Sequence, residues 1–192
     1  MRVQEVLYKR PKLILPVMTV TNWSGFGHQP ANDGVEIVSS SASDVCKCTI
    51  WGTTYGSNLV VSETVTLTGT DAVSLTKTNW GNIIGVMLAD KNGRYMTAAV
   101  GTITIREASG NAAITTITAG HYHSGMLILE IPGEEFDCSI FSGNLYWNPL
   151  AIATATNGIR VTSSNVVSSK TQNRVSFISD NTGASIQIVT VE

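Results

Sequence analysis

The sequence predicts an all-β fold, a β-sandwich or jelly roll of short antiparallel strands with an extended N-terminal arm. Three observations carry this expectation. Apolar residues recur with a period of two in several stretches, and turn residues separate those stretches at roughly the 8 to 12 residue spacing of sandwiches and barrels. No stretch shows helical periodicity together with a cap.

The N-terminal residues 1–34 stand apart from this pattern. Pro11, Pro16 and Pro30 and the aromatic, glycine-rich patch Trp23, Gly25, Phe26, Gly27 break any regular strand. The basic start (Arg2, Lys9, Arg10, Lys12) and the apolar run from Leu13 to Met18 imitate a signal peptide. Pro16 interrupts that run, however, and Thr21, Asn22 and Trp23 stand where a small-residue cleavage site belongs, so the segment is read as a mature arm. Its apolar residues Leu13, Ile14, Leu15, Val17, Trp23 and Phe26 suit burial against a neighbouring subunit, ordering as they bind. The alternative is a terminal strand folded on its own domain.

Residues 35–192 form the expected β-sandwich domain, with 150–192 as a C-terminal lobe or added strands. Val61, Val65 and Leu67 alternate with Ser62, Thr64, Thr66 and Thr68, and Glu63 interrupts the apolar face at its rim. Ile103 and Ile105 alternate with threonines in the same way, and Val175 and Phe177 flank Ser176. Ile83 to Ala89 and Met126 to Ile131 are nearly continuous apolar runs, the mark of central strands covered on both faces. Asn92-Gly93 is the strongest hairpin signal, because both positions tolerate φ > 0. Gly69, Ser109-Gly110-Asn111, Ala119-Gly120, Pro132-Gly133, Asn157-Gly158 and Asn181-Thr182-Gly183 punctuate the rest.

Composition narrows the functional classes. Charged residues make up 14% of the chain, against about 25% in ordinary globular proteins, and serine and threonine take their place on the outward faces of strands. A net charge of -2 supplies no basic footprint for phosphates, so no nucleic-acid partner is expected. No run approaches the roughly 20 apolar residues of a membrane-spanning helix, and no membrane partner is expected either.

Reactive constellations are few. Cys46 and Cys48, like His121 and His123, are spaced so that each pair shares one face of a strand, and two such strands side by side present a Cys/His zinc site. The spacing is unusual for zinc proteins. The plainer reading is small buried thiols and surface imidazoles, with no metal and no cofactor. Cys138 leaves an odd count and no disulfide framework, which fits a reducing compartment. Glu134, Glu135 and Asp137 read as a polar turn rather than paired catalytic carboxylates. No phosphate loop, nucleophile elbow or metalloprotease motif is present, so no enzymatic activity is expected.

One resemblance emerges from the order of the strand motifs. Ser39-Ser40-Ser41-Ala42-Ser43-Asp44, Thr49-Ile50-Trp51-Gly52 and Val61-Ser62-Glu63-Thr64-Val65-Thr66-Leu67-Thr68-Gly69-Thr70 are followed by a Val/Thr strand from Ala72 to Thr78. Gly101 to Ile105, Ile117-Thr118-Ala119-Gly120, Met126 to Ile131 and Pro132-Gly133 come next. Over residues 35–141 this series resembles structural proteins of tailed bacteriophages. The resemblance implies a virion protein: a capsid decoration, head-fibre or neck and tail accessory subunit, made in the host cytoplasm. Its implied partners are other virion proteins and copies of itself, bound through Thr-rich sheet faces and the arm. The competing expectation is a carbohydrate-binding module in which Trp147, Tyr146 and Tyr122 stack on sugar rings.

Overall fold

A computed structural model describes residues 11–14, 18–20, 26–93, 96–129, 135–148, 158–162, 166–170, 175–179 and 184–191. The protein is all-β, with no helix among the described residues, and its strands form antiparallel sheets. The first pair of sheets uses the middle of the chain. One has the order β10-β7-β4-β5, from β4 (Lys47–Thr54), β5 (Val60–Thr66), β7 (Trp80–Ala89) and β10 (His123–Gly125). The other has the order β6-β3-β8-β9, from β3 (Val35–Ser39), β6 (Val73–Ser74), β8 (Ile103–Glu107) and β9 (Ala113–Ile117).

The second pair combines the C-terminal strands with the N-terminus. One sheet has the order β11-β16-β13-β14, from β11 (Leu127–Leu129), β13 (Asn144–Asn148), β14 (Ile159–Thr162) and β16 (Val175–Ser179). The other runs β1-β17-β12-β15, from β1 (Pro11–Ile14), β12 (Glu135–Ser142), β15 (Val166–Lys170) and β17 (Ala184–Val191). A further strand, β2 (Met18–Val20), also pairs with β17.

Apolar side chains are divided between two cores rather than gathered in one. Val35, Ile37, Cys48, Ile50, Trp80, Ile83, Val86, Leu88, Ile103 and Ile105 belong to the first. Val20, Leu127, Cys138, Ile140, Leu145, Trp147, Phe177, Ile186 and Ile188 belong to the second. A third cluster, of Trp51, Ile84, Met126, Ile128 and Ile178, joins the two pairs. Adjacent residues on the inner strands go to different clusters. Ile50 and Trp51 on β4, Leu127 and Ile128 on β11, and Phe177 and Ile178 on β16 each divide in this way. Successive side chains of a strand point to opposite faces, so the third cluster is an apolar layer between sheet β10-β7-β4-β5 and sheet β11-β16-β13-β14.

This layering explains the two patterns in the sequence. The inner strands β4, β7, β11 and β16 place apolar residues on both faces, whereas β3, β8 and β17 alternate buried residues with less buried ones and the edge strand β5 keeps Ser62, Thr64 and Thr66 exposed. Ile83 to Ala89 lies in β7, a central strand between β10 and β4, as the continuous run predicts. The run beginning at Met126 does not. It forms β11 at the end of its sheet, yet Leu127 and Ile128 are both buried because that sheet is covered on both sides. A continuous apolar run reports coverage of the faces, not the number of hydrogen-bonded neighbours.

Other expectations shift locally. The strand expected from Ala72 to Thr78 is reduced to Val73–Ser74. Glu135 and Asp137 lie within β12 rather than in a turn, and Glu134 is outside the described residues. Glu63 sits at the rim as expected, on the edge strand β5, where its carboxylate accepts the amides of Thr76 and Lys77.

Residues 26–34, assigned to the arm by the sequence, are tied to the first pair of sheets. Gly27 N–H donates to Ile114 O at 3.2 Å and Trp80 N–H to Asp33 O at 2.9 Å. The Gln29 side chain pairs with the Ile83 backbone as an extra strand would, accepting at 2.7 Å and donating at 3.0 Å. Earlier in the same segment, β1 and β2 hydrogen-bond to the chain's own β17, the arrangement in which the terminus folds onto its own domain.

The junction between the two pairs is tight at Gly85. A β-carbon there would lie 2.4 Å from Met126 O, inside any permitted contact with backbone. At Gly27 the nearest atom would be 3.8 Å away. Gly85→Ala is therefore expected to destabilise the chain by about 1–3 kcal/mol, and Gly27→Ala by no more than about 0.5 kcal/mol. Urea midpoints of the two variants check the difference.

Candidate functional site

The polar group most firmly built into the structure is Asp44. The chain leaves β3 at Ser39, passes Ser40 to Ser43 and returns at Asp44, which is 2% exposed. Its carboxylate accepts from Ser39 Oγ at 2.5 Å, from Val100 N–H at 2.8 Å and from Gly101 N–H at 2.9 Å. Its own backbone carbonyl accepts from Gly69 N–H at 3.1 Å. One side chain thus ties the β3–β4 connection to the strand leading into β8. Gly101 is required there, since a β-carbon would fall 2.6 Å from Ser40 Oγ and 2.8 Å from Ser41 N.

Burial pushes the Asp44 pKa up, but the hydrogen bonds from Ser39, Val100 and Gly101 outweigh it and hold the carboxyl below its usual range. The carboxylate has a structural role. Its position also brings two exposed apolar residues to one rim, because Val45 follows it directly and Val100 is bonded to it. These side chains are 55% and 60% exposed. At the opposite end of β4, Tyr55 and Leu59 are exposed on the turn into β5.

A second polar group lies at that opposite end. Asp33 accepts from the Ser109 hydroxyl and from Gly34 N–H at 2.7 Å. His28 Nε2 lies 2.7 Å from Glu107, and Arg106 pairs with Glu36 across β8 and β3 at 2.6 Å. Ser109 donates to a carboxylate rather than to an imidazole, so the arrangement is a turn fastened by hydrogen bonds, not a nucleophile with its base.

The four metal-ligand candidates are not brought together. Cys48 stands opposite Leu88 and belongs to the first core. His123 stands opposite Met87, the next residue of β7, and therefore on the other face of the sheet. Cys46 is also buried in the first core, and His121 is exposed, its Nδ1 3.1 Å from Thr118 Oγ1. Among the described residues, no three His, Cys, Asp or Glu side chains gather as a metal would need. Burial raises the pKa of all three thiols, that of Cys138 to about 12.

His123 itself departs from the surface imidazole expected. It is 8% exposed, and its Nε2 is buried without a hydrogen-bond partner. Desolvation, helped by His121, pushes its pKa down to about 4.

The aromatic residues suggested as a sugar platform differ in exposure. Trp147 is 7% exposed and part of the second core, Tyr122 packs against that core, and Tyr146 packs into the layer between the sheet pairs. Stacking on a sugar needs an open ring face, which the buried Trp147 does not offer, whereas Tyr122 and Tyr146 are half-buried.

Among the arm residues, Leu13 and Ile14 lie in β1, and Leu15, Val17 and Trp23 fall outside the described residues. Phe26 is half-buried against the first core, so close to Gly125 that a β-carbon there would meet its ring at 2.5 Å. The sequence missed Asp44 and Gln29 as organising residues. Both sit in polar stretches whose composition carries no such signal.

Compared with known proteins, the chain matches no family model, no curated protein and no solved structure.

Two titrations follow from this geometry. Asp44 is depressed in the folded chain, so its contribution is fully present above the unfolded carboxyl value near pH 4 and is lost as the pH falls through the lower folded value. Asp44→Asn is expected to lower the unfolding free energy at neutral pH by roughly 1.5–3 kcal/mol, the range for hydrogen bonds to a charged group. The variant also flattens the decline below pH 4, which urea titrations at stepped pH would show.

His123 acts in a higher window. Between its ordinary value of 6.5 and about 4 the unfolded chain binds a proton that the folded chain does not, so stability falls as the pH drops across that range. The loss approaches about 3 kcal/mol by the lower end. His123→Gln is expected to remove this slope, and a wild-type chain with no decline between pH 6.5 and 4.5 would contradict it.

Proposed function

We propose that the chain is a non-enzymatic structural subunit of a tailed-bacteriophage virion, of the capsid-decorating or neck and tail accessory kind. It is made in the host cytoplasm and binds neighbouring virion subunits and copies of itself through sheet faces and the N-terminal segment. Each pair of sheets is read as a β-sandwich of the jelly-roll kind, with strands exchanged between two facing layers.

The observation that carries this reading is how the side chains are allotted. Asp44, Asp33 and Glu63 are each engaged by backbone amides, and the buried thiols have raised pKa values. Trp51, Trp80 and Trp147 are built into apolar clusters. Among the exposed described residues are Ser62, Thr64 and Thr66 along β5, Thr116 on β9, and the apolar Val45, Val100, Tyr55 and Leu59 at the ends of the strands, with charges such as Asp71, Lys91 and Arg160 scattered singly. Low charge, short polar side chains and isolated apolar anchors make a contact surface with little side-chain entropy to lose. The strand and turn series of residues 35–141 points the same way.

The test is the size of the purified full chain, without ligand, by light scattering. A closed oligomer is expected. A monomer that gains a partner only when a glycan is added overturns the reading in favour of a sugar-binding module.

A further inference from the structure

We infer that the β17 edge occupied by β1 and β2 is a docking surface for the same N-terminal segment of a second copy of this chain, so that the strands exchange between subunits. The inference rests on the assembly reading above and names the partner and the contact.

The first ground is fit. Val20, Thr19 and Met18 pair with Ala184, Ser185 and Ile186, and Ile14, Leu13 and Pro11 with Val189, Thr190 and Val191. Val20 is fully buried in the second core with Ile186, Ile188 and Leu127. The same segment arriving from another copy makes the same hydrogen bonds and fills the same space. Exchange therefore sacrifices no contact, the condition under which strand swapping costs little.

The second ground is the division of the segment between the two sheet pairs. β1 and β2 pair with β17 in the second pair, whereas residues 27–33 are fastened to the first pair through Gly27, Gln29 and Asp33. Residues 21–25 connect these attachments, and the six Cα steps from Val20 to Phe26 span at most about 21 Å. Nothing in the β17 register distinguishes the chain's own segment from a neighbour's. The choice is set by which β17 edge lies within that reach of Phe26, and a packed assembly brings a second such edge near.

The third ground is what the edge would be without its occupant. β17 pairs with β12 on its other side, so removal of β1 and β2 leaves a row of unpaired amides and carbonyls beside a core lacking Val20. Exposed edges of this kind recruit a strand from another chain. The segment best matched to this edge is the one that already fits it.

Thr19 and Ser185 are register partners. Opposed residues in an antiparallel pair have Cα atoms about 4.5–5.5 Å apart, within the span of a disulfide. Chains carrying Thr19→Cys alone and Ser185→Cys alone would be refolded together, oxidised and run without reductant, with oxidised wild-type chain as control. A covalent dimer of one chain of each kind is expected, its yield rising with chain concentration. The double variant should pass from intrachain to interchain bonds over the same range.

Bonds that stay within the chain at every concentration overturn the exchange. If light scattering then still shows a closed oligomer, assembly stands and proceeds through other surfaces; if it shows a monomer, both readings fall. Uptake of a labelled peptide spanning residues 11–20 by the unmodified full chain measures the same exchange without introduced cysteines. Its absence at high peptide concentration counts against the inference.

Discussion

The apolar layer between the inner sheets is the constraint on which the rest of the structure depends. A strand facing solvent on one side can alternate, and β3, β8 and β17 do. On a strand with a core on one side and this layer on the other, a polar side chain on either face is buried and costs stability unless it is hydrogen-bonded, so apolar residues dominate both faces. Trp51 and Ile84 on one sheet and Ile128 and Ile178 on the other therefore fix which sheets lie inside. The outer sheets need to be apolar on one face only, which leaves their other faces free for serine and threonine. The low charge of the chain reflects the serine and threonine that take those outward faces.

The connections are held by a different chemistry. Loops between facing sheets must cross from one layer to the other, and their backbone groups lose strand partners as they do so. Asp44 answers this at one end by accepting from Val100 and Gly101 while Ser39 orients it. Asp33 and Glu63 do so at the other end for Gly34 and for Thr76 and Lys77. These carboxylates are ionised in the fold because amides and hydroxyls solvate them in place of water.

The fold class was legible in the sequence because alternation and turn chemistry are local. Val61 to Thr66, Ile103 to Ile105 and the turn at Asn92-Gly93 can each be read without knowing their neighbours. Which strand pairs with which was not legible. Nothing in Met126 to Leu129 says that the strand lies at an edge, because burial of both faces produces the same run there as in a central strand. The surroundings of the aromatic and metal-ligand candidates were not legible for a related reason. Trp147 and His123 are amphipathic side chains whose type suits either a site or a core, and only the register, with Trp147 facing the second core and His123 on the face opposite Cys48, decides between them. The organising role of Asp44 depends on amides 56 and 57 residues away.

The sheet edges are closed in two different ways. The first pair of sheets is closed by side chains and short segments with no sequence equivalent elsewhere. Gln29 imitates a strand along β7, Gly27 bonds to β9, and Glu63 on β5 captures two amides of the neighbouring loop. Such closures are specific to one place and cannot be supplied by another copy without moving the whole body that carries them. The β17 edge is closed by whole strands, β1 and β2, joined to the rest of the chain through residues 21–25. A strand gives its partner main-chain hydrogen bonds that depend little on side-chain identity, and β2 brings Val20 into the second core. The two halves of the segment before β3 are therefore different devices. Residues 26–34 fasten to the first pair of sheets through single side chains and short backbone contacts, whereas β1 and β2 add whole strands to the edge of β17.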